Sequence, residues 1–145
     1  MQPLVTPRWL YEHLQDDRLS VIDCRFALNN PALGEEQYRQ EHIPGALYFH
    51  LERDLSGPKQ THGGRHPLPD PEALAARLSL AGIDENVTVI AYDDQEMSMA
   101  GRLWWLLRYL GHEKAAVLDG GFAAWKKAGY PVTADVPTPA PRSFV

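Results

Sequence analysis

Cysteine, basic charge and long apolar runs are all scarce in this sequence, and each shortage excludes a class of protein. The single cysteine, Cys24, cannot form an internal disulfide and is typical of a reducing compartment. The 14 Lys and Arg residues are outnumbered by 19 Asp and Glu residues, and the net charge of -5 argues against a broad nucleic-acid surface. No apolar run approaches the roughly 20 residues that span a bilayer, and the N-terminus lacks the pattern of a signal peptide. We therefore expect a cytoplasmic protein whose partners include neither membrane nor nucleic acid.

Clusters of histidine and cysteine with metal-ligand spacing are also missing. Of the 6 histidines, only His62 and His66 pair at helical spacing, and they lie in a stretch rich in glycine and proline. Structural and catalytic metal sites need three or four ligands in a defined pattern. The sequence accordingly predicts no bound metal, and nothing in it indicates a cofactor.

One strand, loop and helix organise the rest of the chain. Residues 87–92 are mostly β-branched or aromatic, which predicts a strand buried on both faces. From Met99 onwards, apolar residues recur at helical spacing. Ser98 is a good candidate for the helix N-cap. A loop between a buried parallel strand and a helix N-terminus is where α/β proteins place their chemistry. The candidate site is therefore this loop, consisting of Asp93, Asp94, Gln95, Glu96, Met97 and Ser98.

Strands and helices alternate along most of the chain. Strands are predicted at residues 19–24, 46–50, 87–92 and 115–118, and helices begin after Thr6, near Glu35, after Asp70, at Ser98 and at Phe122. This alternation is typical of an α/β fold with a parallel sheet covered by helices. Residues 134–145 carry three prolines among mostly small residues and are predicted to be an extended linker. We expect residues 1–133 to form one domain, cut from a longer protein.

Three segments resemble the motifs of rhodanese-like domains. They are Val21-Ile-Asp-Cys-Arg, the turn His42-Ile-Pro-Gly-Ala, and the closing segment Leu118-Asp-Gly-Gly-Phe-Ala-Ala-Trp. Their order and spacing match over essentially the whole chain up to the linker. The resemblance implies a central parallel sheet flanked by helices on both faces. It also implies structural roles for Asp23, Arg25, His42, Gly45, Gly120 and Trp125.

A narrower likeness points to one type of rhodanese-like domain. His66-Pro-Leu-Pro, Tyr92-Asp-Asp and the helix from Arg102 to His112 resemble the N-terminal, cysteine-lacking domain of tandem-domain thiosulfate and 3-mercaptopyruvate sulfurtransferases. In such proteins two modules pack together, and the C-terminal module carries the catalytic cysteine. The resemblance implies that the partner of this chain is a second rhodanese domain of the same polypeptide. The alternative is a free-standing rhodanese-like module that binds or regulates a protein partner.

The chemistry of the family turns on the residue that follows the central strand. Sulfur transfer there runs through a cysteine persulfide, and a helix N-terminus lowers the pKa of that cysteine. Here Asp93 aligns with the cysteine, so the chain alone is expected to be inactive. Asp94 and Glu96 would repel an anionic donor and can accept the helix N–H groups themselves. The acidic loop is thus predicted to be a self-capped, emptied anion cradle; a metal or general-base site is the alternative.

Other side chains allow two interpretations each. Cys24 ends a buried strand and is predicted to be a core residue; a thiol activated by Arg25 is the rival hypothesis. Five further side chains are expected in the core, or else on a face that docks a partner: Trp104, Trp105, Trp125, Met97 and Met99. A phosphatase relative of the fold is disfavoured, because the loop has neither a cysteine nor an arginine.

Overall fold

Five parallel strands form the centre of the chain, which we describe from a computed structural model covering residues 2–27, 29–56, 68–94 and 97–144. The strands are β1 (Leu4–Val5), β2 (Leu19–Asp23), β3 (Leu47–Tyr48), β4 (Thr88–Tyr92) and β5 (Ala115–Leu118). Their order across the sheet is β1-β5-β4-β2-β3, and every pairing is parallel. Strand β4 therefore lies in the middle, as its apolar sequence predicts.

Helices connect successive strands and cover both faces of the sheet. They are α1 (Pro7–His13), α2 (Leu33–Gln40), α3 (Pro71–Leu80), α4 (Ser98–Tyr109) and α5 (Gly121–Lys127). The predicted α/β class and the predicted helices on both faces are confirmed. Strand β3 is shorter than predicted, because only two of its residues pair with β2.

The two faces of the sheet carry two separate hydrophobic clusters. Side chains of β4 alternate between them: Val89 and Ala91 join the cluster under α3 and α4, whereas Ile90 and Tyr92 join the cluster under α1, α2 and α5. Among the described residues, no helix is both long and apolar enough to cross a membrane.

Candidate functional site

The acidic loop begins at the carboxyl end of β4, the central strand. Asp93 directly follows Tyr92, and α4 begins a few residues later at Ser98. Parallel α/β proteins bind ligands at this end of the sheet. The backbone N–H groups of the first turn of α4 are the donors that an anion would use there.

The carboxylate of Asp93 occupies those donors. Its Oδ1 accepts a hydrogen bond from the Met97 amide at 2.9 Å, and its Oδ2 accepts from the amides of Met99 at 3.0 Å and Ala100 at 2.9 Å. The Asp93 residue is only 4% exposed. The chain's own carboxylate therefore fills the place at which an anion would meet the start of α4.

One detail of helix capping predicted from the sequence is wrong. Ser98 is the first residue of α4 rather than its N-cap, and Met97 takes the cap position with a φ of 65° and no side-chain capping bond. Asp93 binds the amides of Met97, Met99 and Ala100. The physical reason is reach: a carboxylate at the strand end spans the loop, so no residue adjacent to the helix is needed as a cap. Gln95 and Glu96 lie outside the described residues.

Helix α5 holds the same loop from its other side. The amide of Phe122 donates to the Asp93 carbonyl at 2.8 Å, and that of Ala123 donates to the Asp94 carbonyl at 3.1 Å. Gly121, at a φ of 62°, allows this approach, because a Cβ there would lie 2.6 Å from the Asp94 carbonyl oxygen. Gly120, a motif residue, is the N-cap of α5 in the left-handed conformation. The backbone on both sides of residues 95–96 is therefore fixed by two helix N-termini.

A buried ion pair lies at the end of the neighbouring strand β2. The Arg25 guanidinium donates to both carboxylate oxygens of Asp23. Oδ2 accepts from the terminal nitrogen at 2.8 Å and from Nε at 3.0 Å, and Oδ1 accepts from Nε at 3.2 Å. It also stacks over the Phe122 ring, 4.3 Å from the centroid. Asp23 and Arg25 are 0% and 5% exposed, so the charges face each other rather than the solvent. In this geometry Asp23 and Arg25 bind each other at the end of β2.

The remaining motif residues hold turns and helix contacts. His42 is buried and has both ring nitrogens within hydrogen-bond distance of backbone carbonyls. Gly45 has a φ of 83°, which its turn before β3 requires. Trp125 is 0% exposed, and its Nε1 donates to the Pro131 carbonyl at 2.8 Å.

Cys24 is a core residue. It is 1% exposed, and burial raises the pKa of its thiol well above the usual value, with the carboxylates of Asp23 and Asp93 adding to the shift. A nucleophilic thiol needs access and a lowered pKa. The rival hypothesis of an activated Cys24 therefore has no support in this geometry.

The arginine, methionine and tryptophan side chains of α4 and its N-cap mostly contact their own domain. Arg102 donates from Nε to the Leu55 carbonyl at 2.9 Å, within its own domain. Met97, Met99 and Trp104 are half-buried against the core, as the sequence favours, whereas Trp105 is exposed. In the described part of the chain, no group of three His, Cys, Asp or Glu residues is placed to hold a metal. His62 and His66 fall outside that part.

Sequence reasoning missed the tyrosines that support the site. The Tyr92 hydroxyl donates to Asp23 Oδ2 at 2.8 Å and accepts from the Ile43 amide, joining β4 to β2 and to the turn before β3. Burial raises the pKa of Tyr92 well above its usual value, which keeps this donor protonated. Tyr48 donates to the Arg25 carbonyl at 2.7 Å. The available signal for Tyr92 was its position at the end of a predicted strand, directly before Asp93; Tyr48 lies in the middle of its predicted strand and has no such signal.

Comparison with known proteins gives concordant matches. A family model described as the rhodanese-like domain matches residues 6–128. A probable 3-mercaptopyruvate sulfurtransferase of Pseudomonas aeruginosa is 47% identical over 132 residues, which cover 90% of this chain and 46% of that protein. Thiosulfate/3-mercaptopyruvate sulfurtransferase 2 of Arabidopsis thaliana is 39% identical over 140 residues, covering 93% and 39%. The solved 3-mercaptopyruvate sulfurtransferase from Leishmania major superposes with a TM-score of 0.88 at 32% identity, over 99% of this chain and 39% of that one. The chain thus spans less than half the length of these proteins.

Proposed function

The chain belongs to the family of rhodanese-like domains, and from that premise we propose that it is the non-catalytic domain of a sulfurtransferase. The similarity to thiosulfate and 3-mercaptopyruvate sulfurtransferases supports this class of reaction. The sulfur would be carried on a cysteine of a second rhodanese domain in the same polypeptide. The present domain would pack against that second domain and stabilise the cleft in which sulfur is transferred.

One observation carries the proposal: the Asp93 carboxylate binds the first amides of α4, the groups that would stabilise a sulfur-carrying thiolate at a helix N-terminus. A carboxylate oxygen cannot form a persulfide. The amides of Met97, Met99 and Ala100 already bind Asp93, so they are not available to an anionic donor. Cys24 is shielded from solvent. The described residues of this loop therefore offer neither a sulfur nucleophile nor free amides for an anion.

In the proposed reaction, every bond is formed or broken at the cysteine of the partner domain, and none in this chain. A cysteine thiolate attacks the outer sulfur of thiosulfate, and sulfite leaves as the S–S bond breaks. With 3-mercaptopyruvate, the C–S bond breaks and pyruvate is the product after protonation. A thiol or cyanide then takes the outer sulfur from the persulfide and restores the thiolate. A rigid neighbouring domain contributes by holding the cleft in shape rather than by reacting.

The direct test is sulfur transfer to cyanide, read as thiocyanate, by the 145-residue chain alone. With thiosulfate or 3-mercaptopyruvate as donor, we expect no turnover above buffer, and the same result for Cys24→Ser. If the coding sequence continues into a second domain, the longer protein should be active and should lose activity when the cysteine in its loop is replaced. Turnover by the short chain that disappears in Cys24→Ser would overturn the proposal. A coding sequence without a second domain would favour the free-standing binding module.

A further inference from the structure

The outer side of α4 carries a group of residues that the domain itself does not bury, named here the α4 face: Gly101, Trp105, Arg108 and Tyr109. Gly101, Trp105 and Tyr109 are spaced four residues apart, so they lie along one side of the helix. Trp105 is 48% exposed and Tyr109 is 57% exposed. The opposite side of α4 is buried against the sheet through its leucines. The α4 face is therefore the side of the helix that is turned away from the core.

Trp105 and Tyr109 form an exposed aromatic pair. Their rings are parallel to within 11°, with centroids 5.4 Å apart, and among the described residues neither ring stacks on any other. Tyr11 differs, although it is 47% exposed: its ring stacks on Tyr130 at 4.5 Å and lies 6.3 Å from the buried ring of Trp125. Adjacent exposed aromatic residues without such support from the core are typical of a surface that contacts another protein.

Packing within the domain does not explain the other two residues of the α4 face. Alanine is more favourable than glycine inside a helix. A Cβ on Gly101 would nevertheless meet no described atom within 4 Å, so the domain itself does not need a glycine there. Arg108 is exposed and lies over the Trp104 ring at 5.2 Å, and it forms no ion pair in the part of the chain that the structure describes. Tryptophan, tyrosine and arginine are the residue types enriched at the centres of protein interfaces, and glycine allows a close approach.

The C-terminal segment reaches one end of this face. Residues 134–144, named here the C-terminal strap, contain no helix or strand. The amide of Phe144 donates to the hydroxyl of Ser79 at 2.9 Å, and the Phe144 ring lies 5.6 Å from that of His112. The amide of His112 in turn donates to the Leu107 carbonyl at the C-terminus of α4, at 2.8 Å. Any residue that follows the strap in the polypeptide therefore starts beside the last turn of α4.

The other end of the α4 face adjoins the loop after β4. Gly101 lies in the first turn of α4, where its amide donates to the Met97 carbonyl at 2.8 Å. The preceding amide, that of Ala100, is bound by the Asp93 carboxylate. Helix α4 has 12 residues and is therefore about 18 Å long. The α4 face thus runs from the acidic loop at one end to the C-terminal strap at the other.

We propose that the α4 face is the surface on which the second rhodanese domain of the same polypeptide docks, an inference that rests on the proposed function. A domain docked there is within direct reach of the C-terminal strap, and at the other end of the helix it lies beside the loop after β4. Trp105 and Tyr109 are buried in this contact as its apolar anchor. Gly101 is the position at which the second domain approaches the helix most closely.

The first experiment measures side-chain oxidation by hydroxyl radicals, by mass spectrometry, in the 145-residue chain and in the longer protein that contains it. Trp105 and Tyr109 should be oxidised at least about fivefold more slowly in the longer protein. Tyr11 is the matched control, because it is as exposed as Trp105 but belongs to α1 on the other face of the sheet, and its rate should not change.

Three results would overturn the inference. Equal oxidation of Trp105 and Tyr109 in the two proteins, when the longer one transfers sulfur, would refute the docking surface and leave the proposed function intact. Protection that appears in the short chain as its concentration is raised would mean that a second copy of the chain covers the α4 face. A coding sequence without a second domain would overturn both the inference and the proposed function.

The second experiment places a charge on the α4 face. Trp105→Glu and Tyr109→Glu alter exposed side chains, so neither should shift the urea midpoint of the 145-residue chain. In the longer protein each should lower kcat/KM for sulfur transfer to cyanide by about tenfold or more, because an interface anchor is lost. Leu4→Glu, at an exposed position on the edge strand β1, should leave kcat/KM unchanged. Full activity of both α4 variants, or an equal loss in Leu4→Glu, would contradict docking at this face.

Discussion

Replacing Asp93 with alanine removes three hydrogen bonds at once from the start of α4. Each amide that loses a charged acceptor in a buried setting costs about 1–3 kcal/mol. Met97 and Met99 are half-buried, so water can reach part of the vacated space, whereas Ala100 is fully buried. We therefore expect the free energy of unfolding to fall by about 2–4 kcal/mol rather than by the full sum. Asp93→Asn keeps one acceptor oxygen and should lose roughly half as much.

Asp119 supplies the control, because it follows β5 as Asp93 follows β4. Its side chain is exposed and makes no hydrogen bond or ion pair within the described residues. Asp119→Ala should change stability by less than about 0.5 kcal/mol. Urea unfolding of all three variants, followed by tryptophan fluorescence and circular dichroism, gives the comparison. If Asp93→Ala is no less stable than Asp119→Ala, the Asp93 carboxylate does not hold the loop and the reasoning fails.

Three further predictions concern buried groups. Asp23→Ala leaves Arg25 buried and unpaired, so the free energy of unfolding in urea should fall by about 3–5 kcal/mol. Arg8→Ala removes one partner of an exposed ion pair and should lower it by less than about 1 kcal/mol. Similar losses in the two variants would contradict the importance of the buried pair. Cys24 should react with a thiol reagent at least about tenfold more slowly in the folded chain than in urea, and equal rates would show an open thiol. Burial raises the pKa of Tyr38 to about 12, above its unfolded value, so stability should be retained below about pH 10 and fall as the pH rises towards 12. Tyr38→Phe should flatten that fall in unfolding experiments, and an unchanged slope would exclude Tyr38 as its source.

Local features of the fold were predictable from the sequence because their causes are local. Thr6 accepts from the Trp9 amide at 3.0 Å and Asp70 from the Ala73 amide at 3.1 Å, each three residues away, so both caps follow from short-range rules. The alternation of strands and helices likewise predicts a parallel sheet. The same rules misplace the cap of α4, because the carboxylate that binds its first amides belongs to Asp93, at the start of the loop.

The features of the site that the sequence did not predict depend on contacts between residues far apart in the chain. The Tyr92 hydroxyl meets Asp23 across 69 positions of sequence, and the His42 ring meets the Asp135 carbonyl across 93. Such contacts depend on the strand order β1-β5-β4-β2-β3, which hydrophobic periodicity does not specify. The sequence pattern predicts only an extended linker for residues 134–145. The prolines favour an extended conformation, but they do not specify where the segment packs on the domain.

The loop after β4 contains no cysteine, and its own aspartate binds the start of the next helix. An aspartate at this position supplies the negative charge that a thiolate or bound anion would otherwise bring to the start of α4, and it satisfies the same amides. The amides of Phe122 and Ala123 fix the loop carbonyls independently of that side chain. A neutral, small residue at position 93 would leave the amides unsatisfied, whereas aspartate binds them and keeps the geometry of the loop. This combination fits the proposed role of the domain, in which it contributes a rigid surface at the carboxyl end of its sheet.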